Sequence, residues 1–248
     1  MRLVVLGSSG THVGPDRRCS GYLVEHDGTR VVLDLGNGAL GTLQQRCDVA
    51  AVDAVVLSHL HPDHVVDVYS LYYALRFHRD GQRSVPVLAP AGAREHLAQL
   101  LGDDTMFGEV CRFRAVAPGD TAEIGGLRLR FFPAAHPVPA LATRVEADDG
   151  TVVAYTGDSG PSDALVACAA DADLLVADAS WLERDGPHPP DVHMTGAQAG
   201  RLAAASRARR LLVTHVFPAL DPDEVAAEAA AVYDGEVLVA ADGREVQL

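Results

Sequence analysis

The sequence has few cysteines, and none of them forms a CxxC pair. The four cysteines, Cys19, Cys47, Cys111 and Cys168, are scattered along the chain. Disulfide-stabilised secreted folds and thiolate zinc sites both need cysteines at close, paired spacing. The pattern therefore argues against both classes and predicts four reduced cysteines with structural roles.

Positive charge is also scarce. The chain has 20 Lys and Arg residues against 34 Asp and Glu residues, which gives a net charge of −14. A protein that wraps long nucleic acid presents a broad basic face. The balance argues against such a partner and is compatible with a small anionic substrate that is held by metal ions.

Long apolar runs are absent, and six residues precede the Gly/Ser turn at Gly7–Gly10. Six residues are too few for the apolar core of a signal peptide, and no run approaches the length that spans a membrane. We therefore expect a cytoplasmic protein with no membrane partner. The length of 248 residues and the hydrophobic content of 48% predict one compact domain over residues 1–248.

The most informative segment is Asp53–His64, DAVVLSHLHPDH. It opens with apolar and β-branched residues that predict a buried strand, and it closes with three histidines and an aspartate within six positions. Histidine and carboxylate at such tight spacing are typical ligands of zinc and similar metals. A solvated, histidine-rich loop is the weaker interpretation. The segment thus predicts ligands for two neighbouring metal ions: His59, His61, Asp63 and His64.

The alternation of apolar runs with turn signals predicts an α/β (α+β) fold of mixed sheets covered by helices. Strands are predicted at Arg2–Leu6, Gly21–Glu25, Arg30–Asp34, Ala54–Leu57, Val85–Ala89, Cys111–Val116, Leu127–Phe132, Leu141–Glu146, Val152–Thr156, Leu174–Ala177, Arg210–Thr214 and Val237–Ala240. Helices are predicted at Gly36–Arg46, Val65–His78, Ala91–Leu101, Gly196–Ser206 and Pro222–Tyr233, and from Ser162 onward. Turn signals at Asp27-Gly28 and Asp148–Gly150 predict two hairpins, and the strands that begin at Cys111 and Leu127 are placed around the Gly125-Gly126 turn. The helix Val65–His78 is apolar on nearly every face, which predicts burial against a sheet.

Five of the predicted strands are followed, within four residues, by a histidine or an aspartate that is a candidate site residue. These residues are His59, His136, Asp158, Asp178 and His215. Ligands gather beyond the carboxyl ends of strands in open α/β sheets, so we expect the five side chains to point into one crevice. A single such residue would be explained better as a cap or a turn. Five in one chain favour a functional site.

The motif HLHPDH at His59–His64, together with His136, Gly157-Asp158 and Thr214-His215, resembles the metallo-β-lactamase superfamily over essentially the whole chain. This resemblance implies a four-layer αββα sandwich with two mixed sheets covered by helices. It also implies two divalent metal ions, one held by His59, His61 and His136, the other by Asp63, His64 and His215, with Asp158 bridging both. Zinc fits these nitrogen and oxygen ligands best, and manganese and iron are alternatives. The presence of His61, where the diiron branch has Glu, favours hydrolysis over redox chemistry.

A second pair, Asp178 and His193, resembles the acidic residue and the HxT histidine of the ribonuclease Z-like phosphodiesterases, in which Glu is more common at the position of Asp178. The resemblance implies that His193 assists departure of the leaving oxygen and that Asp178 orients it. A polar residue at the start of a helix is the simpler interpretation of His193. Phosphoester cleavage, however, requires a proton for the leaving alkoxide, which favours catalysis. Asp63 is expected to hold the proton of the attacking water.

The interval between His136 and Asp158 indicates a small substrate. It spans only 22 residues and is filled by a predicted hairpin, which leaves no room for the arm with which ribonuclease Z grips tRNA. The chain is most similar to actinobacterial cyclic-AMP phosphodiesterases of this fold in four phrases: Gly7–Gly10, Ser58–His61, Asp178–Trp181 and His188–Asp191. This resemblance implies a phosphodiesterase acting on a small phosphodiester such as a 3′,5′-cyclic nucleotide. No long nucleic acid partner is expected, and a homodimer is left open.

Three alternatives are kept. A lactonase or other acyl hydrolase would use the same metal ligands but would not require the Asp178–His193 pair. A ribonuclease Z-type RNA 3′-end endonuclease would need a basic surface, and a non-catalytic ligand-binding protein typically loses metal ligands. Smaller features also stay open. Gly7–Gly10 is either a phosphate-binding loop or a plain turn, Arg17 and Arg18 contact a phosphate or base or form a solvated pair, and Asp67 supports a ligand histidine or lies at a polar helix edge.

Overall fold

The computed structural model describes residues 1–102 and 104–248, with the backbone alone at positions 104 and 106. In chain order its strands are β1 Arg2–Gly7, β2 Gly21–His26, β3 Thr29–Leu35, β4 Ala54–Val56, β5 Val85–Ala89, β6 Cys111–Ala115, β7 Thr121–Ile124, β8 Leu127–Pro133, β9 Leu141–Ala147, β10 Val152–Tyr155, β11 Leu174–Asp178, β12 Arg210–Thr214, β13 Glu236–Val239 and β14 Glu245–Gln247. The helices are α1 Ala39–Gln44, α2 Pro62–Val65, α3 Asp67–Arg76, α4 Ala93–Leu101, α5 Asp104–Val110, α6 Asp163–Cys168, α7 Gly196–Ser206 and α8 Pro222–Ala230. Two 3₁₀ turns lie at Val49–Ala51 and Glu183–Asp185.

The strands form two mixed sheets of seven strands each. One sheet has the order β14-β1-β2-β3-β4-β5-β6, and the other has the order β13-β12-β11-β10-β9-β8-β7. In each sheet one half is antiparallel and the other half is parallel, with β3 to β6 parallel in the first and β10 to β13 parallel in the second. The parallel strands direct their carboxyl ends, and hence the loops that follow them, toward one edge.

Side-chain alternation along the strands builds the layers. In β1, Leu3 and Val5 join a central core shared by both sheets, whereas Val4 and Leu6 join an outer core that is covered by helices. A third cluster packs α6, α7 and α8 on the outer face of the second sheet. The two-residue period of strands therefore produces a helix–sheet–sheet–helix arrangement, which confirms the predicted αββα sandwich. Among the described residues, no helix is both long and apolar enough to cross a membrane.

The predicted pairing around the Gly125-Gly126 turn is wrong. Cys111–Ala115 lies in the first sheet beside β5, and the hairpin partner of β8 is the unpredicted strand Thr121–Ile124 in the second sheet. That strand has only four residues, of which Ala122 is buried, so it carries too little periodicity to be recognised. The helix Asp104–Val110 was also not predicted.

Four predicted helices differ from the structure, two of them at one end only: α4 begins at Ala93 rather than Ala91, and α8 ends at Ala230 rather than Tyr233. The other two differ more. Gly36–Arg46 is helical only over Ala39–Gln44, because Gly38 adopts a left-handed φ of 89° that a right-handed helix does not contain. The predicted helix Val65–His78 is divided into α2 and α3. Val68 and Leu71 of α3 pack in the outer core with strands of the first sheet, which confirms the predicted burial against a sheet, although Tyr73 is 52% and Phe77 74% exposed.

Candidate metal centre

The candidate site lies where the carboxyl ends of strands from the two sheets meet. His59 follows β4, His136 follows β8, Asp158 follows β10, Asp178 ends β11 and His215 follows β12. The structure thus brings the five strand-end residues of the sequence prediction into one crevice. His61, Asp63, His64 and His193 join them, so that all nine predicted site residues lie in one cluster.

The start of α2 explains how one short segment supplies four of these side chains. His61 is the extended N-cap residue, with φ −68° and ψ 147°, and Pro62 occupies the first helical turn, where its missing N–H group costs nothing. His59 and His61 therefore lie on extended chain, whereas Asp63 and His64 lie on the first turn of the helix.

The nine residues divide into groups whose ligand atoms lie within 4.8 Å of one another. One group contains His59, His61, His136 and Asp158, and a second contains Asp63, His64, Asp158 and His215. A third group contains Asp158, Asp178, His193 and His215. Asp158 belongs to every group, as expected of a residue between two metal positions.

The two carboxylate oxygens of Asp158 face different groups. Oδ1 lies 3.1 Å from Nε2 of His64 and 3.3 Å from Nε2 of His215. Oδ2 lies 3.6 Å from Nε2 of His59. Each oxygen is thus directed at one ligand set, which is the geometry required of a bridging carboxylate.

Hydrogen bonds at the outer ring nitrogens orient the histidines of the first group. Nδ1 of His136 donates to the carbonyl of Val192 at 2.9 Å, which directs its Nε2 toward Nδ1 of His61 at 3.1 Å. Nδ1 of His59 donates to the hydroxyl of Ser58 at 3.0 Å. The lone pairs that remain point into the centre, as metal binding demands.

Asp34 orients His64 and was not identified from the sequence. Its fully buried carboxylate accepts hydrogen bonds from the backbone N–H and hydroxyl of Ser58, each at 2.6 Å, and from the hydroxyl of Tyr155 at 2.6 Å. Nδ1 of His64 donates to the same carboxylate at 2.7 Å. Its position could have identified it, because Asp34 lies near the end of an apolar strand, as do the five strand-end residues that the sequence predicts.

A chain of hydrogen bonds links the candidate ligand His215 to His193 through Ser180 and Asp178. Nδ1 of His215 donates to the hydroxyl of Ser180 at 2.8 Å, and that hydroxyl donates to Oδ1 of Asp178 at 2.7 Å. Oδ2 of Asp178 accepts from Nδ1 of His193 at 2.9 Å. Ser180 is a second contributor that sequence reasoning did not single out. The backbone of His215 is left-handed, with φ 57°, which is a strained conformation of the kind found at functional sites.

Two buried atoms indicate that the centre suits a cation. Among the described residues, Nε2 of His59 and Oδ1 of Asp158 are buried and make no hydrogen bond. Such atoms cost free energy when they are left unsatisfied. One divalent ion in each ligand group would satisfy these two atoms, and the nitrogen and oxygen donors of both groups are the set that zinc and related metals prefer.

The pKa values of the charged groups support the same conclusion. Burial and the neighbouring His64 hold the pKa of His59 well below its usual value, which keeps its imidazole neutral. Burial alone would raise the pKa of Asp158, but His215, His64 and His59 outweigh it and hold that pKa well below the usual range. Burial likewise opposes protonation of His215, yet Asp158 and neighbouring acceptors raise its pKa to about 10. The buried, ionised carboxylates therefore require nearby positive charge, which metal ions would supply.

The Gly7–Gly10 segment, Arg17, Arg18 and Asp67 form their hydrogen bonds and ion pairs with residues outside the candidate ligand set. The N–H groups of Ser8 and Ser9 donate to the carbonyl of Arg18, so this part of Gly7–Gly10 forms a turn. The Arg17 guanidinium donates to the carbonyls of Pro218 and Leu220, and Arg18 pairs with Asp242 at 3.3 Å. Asp67 accepts from the backbone N–H of Leu40 at 2.9 Å and does not bond a ligand histidine in the described structure.

Comparison with known proteins identifies the family. Residues 16–216 match the family model of the Beta-lactamase superfamily domain. An uncharacterized protein of Mycobacterium tuberculosis is 35% identical over 245 residues, which cover 96% of this chain and 88% of that protein. The probable metallo-hydrolase YhfI of Bacillus subtilis is 30% identical over 247 residues and is covered to 98%, as is this chain. The ribonuclease Z of Haloferax volcanii is 29% identical over 302 aligned residues, which cover this chain completely and 95% of that protein.

Solved structures agree with this assignment. The crystal structure of YhfI superposes with a TM-score of 0.88 at 28% identity, covering 99% of both chains. A diphosphatase from the PhnP family superposes with a TM-score of 0.79 at 20% identity, covering 100% of this chain and 97% of its own, which supports the fold alone. The chain therefore belongs to the beta-lactamase superfamily, within its ribonuclease Z-like branch of metallo-hydrolases.

Proposed function

We propose that this chain is a dinuclear metal-dependent phosphodiesterase that cleaves a small phosphodiester, such as a 3′,5′-cyclic nucleotide. The observation that carries the proposal is the His193–Asp178 pair, whose Nδ1 and Oδ2 atoms lie 2.9 Å apart beside the candidate metal ligands. Nδ1 of His193 also lies 3.9 Å from Oδ2 of Asp158. Expelling an alkoxide from phosphorus requires a proton donor, and a histidine that is held by a carboxylate can supply that proton.

The residues that would hold the metal ions are the seven predicted ligands: His59, His61 and His136 for one ion, Asp63, His64 and His215 for the other, and Asp158 for both. When bound, the ions would polarise the phosphoryl oxygens and lower the pKa of the attacking water. Asp63 fits the additional role of proton acceptor. Burial would raise the pKa of Asp63, but its hydrogen bond with His215 and the charge of His64 outweigh burial and keep the carboxylate ionised.

His193 fits the role of proton donor to the leaving oxygen. Because its Nδ1 is hydrogen-bonded to Asp178, its Nε2 is the nitrogen that remains for the substrate. Burial disfavours the imidazolium, but the carboxylate of Asp178 outweighs burial and raises the pKa of His193 above its usual value. The side chain retains 13% exposure, so it is accessible from the crevice. Asp178 is buried and hydrogen-bonded to Ser159 and Ser180, which fixes its orientation.

Two features favour a small substrate over RNA. The chain between His136 and Asp158 forms β9, β10 and their connections, with no extended arm. The alignment with the Haloferax volcanii ribonuclease Z spans 302 positions against 248 residues here, so that relative carries segments without a counterpart in this chain. A net charge of −14 also opposes the binding of long nucleic acid.

The test is substrate turnover by protein loaded with Zn²⁺ or Mn²⁺. Four substrates should be compared: bis(p-nitrophenyl) phosphate, 3′,5′-cyclic AMP, a homoserine lactone and a tRNA precursor with a 3′ extension. We expect cleavage of the two small phosphodiesters, loss of that activity after chelation, and its recovery when metal is returned. Lactone opening or tRNA processing without cleavage of a small phosphodiester would contradict the proposal.

A further inference from the structure

A cavity of about 370 Å³ adjoins the first group of candidate metal ligands. Its walls include Leu60, His61, Pro90, His96, Val138 and Pro139, and it is called the His96 cavity below. The volume lies within the range of small-ligand sites in proteins. The cavity is not part of the catalytic arrangement described above, except that it shares His61 with it.

The His96 cavity lies beside the candidate metal centre, because two of the segments that form its walls also carry candidate metal ligands. Leu60 lies between the candidate ligands His59 and His61, and Val138 lies two residues beyond the candidate ligand His136. The imidazoles of His61 and His136 are in edge contact, with ring centroids 4.9 Å apart. A phosphodiester held at the metal centre would therefore have one of its two substituents next to the mouth of this cavity.

The chemistry of the walls selects the kind of substituent. Aliphatic side chains and proline rings dominate them, and His96 on α4 adds one imidazole that can stack on a ring or form one hydrogen bond. The described residues that line the cavity include no Asp or Glu and no Lys or Arg, although the chain carries 34 acidic and 20 basic residues. Such walls suit an uncharged, flat, largely apolar group and provide no counter-ion for a second phosphate.

We infer that the His96 cavity binds the planar aromatic substituent of the substrate, which in a cyclic nucleotide is the nucleobase. The inference rests on the proposed phosphodiesterase function and adds the residues that determine specificity. The proton donor His193 contacts the rings of His136 and His215 and is not among the residues that line the cavity. The leaving oxygen therefore belongs on the His193 side. In a diaryl phosphate the cavity would hold the aryl group that stays on phosphorus, and in a 3′,5′-cyclic nucleotide, whose two ester oxygens belong to one ribose, it would hold the base that this ribose carries.

Two artificial esters with the same leaving group distinguish an effect on binding of the retained group from an effect on bond cleavage. Bis(p-nitrophenyl) phosphate and methyl p-nitrophenyl phosphate lose the same p-nitrophenolate but retain an aryl and a methyl group, respectively. Ala91→Trp adds a large side chain at an exposed wall residue of the cavity. In the metal-loaded enzyme it is expected to lower kcat/KM for the diaryl ester about tenfold or more, as loss of aromatic stacking would, and to leave the methyl ester within about twofold of wild type.

Two matched controls are available. Ala205→Trp places the same side chain at an exposed alanine that lines a different cavity, between α6 and α7, and should leave both esters at wild-type rates. His96→Ala should reproduce the selective loss, whereas Gln99→Ala, at another exposed position of the same helix, should not. Equal losses on both esters with Ala91→Trp, or no loss on either, would overturn the inference.

A binding measurement decides the question without turnover. In saturation-transfer NMR with AMP as the probe, the adenine H2 and H8 signals should receive saturation from wild-type protein and Ala205→Trp but not from Ala91→Trp. Equal transfer from all three proteins, or none from wild type, would show that the cavity does not hold the base. Failure of wild type to cleave any phosphodiester would instead reject the proposed function, so the two failures are distinguishable.

Discussion

Oδ2 of Asp34 lies 2.7 Å from Nδ1 of His64, although 30 positions separate the two residues in the chain. The bond directs Nε2 of His64 toward Oδ1 of Asp158, at 3.1 Å. Asp34 is itself fixed by Ser58 and Tyr155, and its left-handed backbone, with φ 57°, shows that the local conformation is held against strain. A residue outside the candidate ligand set thus determines the orientation of one ligand.

Asp34→Asn should weaken metal binding by about 10- to 100-fold, because a neutral amide orients and polarises His64 less well than a carboxylate does. The measurement is competition for Zn²⁺ with a chromophoric chelator. Asp53→Asn is the control, since its carboxylate also accepts a backbone N–H, from Arg30 at 2.8 Å, but is exposed and distant from the centre. Wild-type affinity in Asp34→Asn would remove Asp34 from this role.

Gly10→Ala should destabilise the protein by about 1–3 kcal/mol, the usual cost of overpacking, and should lower its metal affinity. A Cβ atom at Gly10 would lie 2.4 Å from the carbonyl oxygen and 2.8 Å from Nδ1 of His215, so the loop that presents this ligand must move. Chemical denaturation and metal titration measure the two effects.

The control for that substitution is Gly41→Ala. Gly41 is an exposed residue of α1, and a Cβ atom there meets nothing within 4 Å. Because alanine favours helix, Gly41→Ala should raise the free energy of unfolding by about 0.5–1 kcal/mol. If both glycine variants behaved alike, the close approach of Gly10 to His215 would have no energetic consequence.

The candidate site could be located from the sequence because its chemistry is concentrated at strand ends. His59, His136 and Asp158 each follow an apolar run, and the structure brings them together with the rest of the nine predicted residues. Asp34 and Ser180 escaped notice for a physical reason. One polar residue after a strand is the normal signature of a turn, and only the tertiary fold shows that these two contact ligand histidines.

The sequence predicts the elements that have strong local patterns. It does not predict features that depend on packing against distant segments of the chain. The bounds of α7 and β12 match their predictions, since α7 has an amphipathic pattern with a capping box at Thr195 and β12 is a continuous apolar run between Arg210 and Thr214. The pairing of Thr121–Ile124 with β8 is a non-local choice that a short, half-exposed strand does not reveal. The exposure of Tyr73 on α3 and of Phe77 just beyond it is not predictable for the same reason, because apolar residues on a helix do not indicate which side is covered.

Removal of metal should lower the thermal unfolding midpoint, because ions that bind the folded centre and not the unfolded chain stabilise the fold by mass action. Calorimetry of chelated and Zn²⁺-loaded protein measures the difference. Asp158→Asn should reduce it sharply. Asp148→Asn, which alters the His26–Asp148 pair at the hairpin tips, should leave it intact. Equal midpoints with and without metal would contradict a centre that is formed only in the folded state.

The cysteines should differ in their reactivity. Burial raises the pKa of Cys111 and of Cys168 to about 12, so almost no thiolate forms at pH 8. Cys47 is half-buried, and its pKa is also raised by burial, so its slow alkylation should accelerate as the pH rises. Iodoacetamide at pH 8 should label native protein at Cys47 alone and should label all four cysteines in denaturant. Rapid modification of Cys111 or Cys168 in the native state would contradict the burial of these two side chains.

The most direct test of the account compares wild type with His193→Ala on 3′,5′-cyclic AMP and bis(p-nitrophenyl) phosphate, with the metal content of each sample measured in parallel. We expect unchanged metal content and a fall in turnover of about 10²- to 10⁴-fold for the cyclic nucleotide, whose leaving alkoxide needs a proton, with a smaller loss for the aryl ester. His188→Ala is the control, since His188 stacks on Trp181 at 4.5 Å, on which His193 also packs. Wild-type turnover of cyclic AMP by His193→Ala, or loss of its metal, would contradict the assignment of His193 as the proton donor.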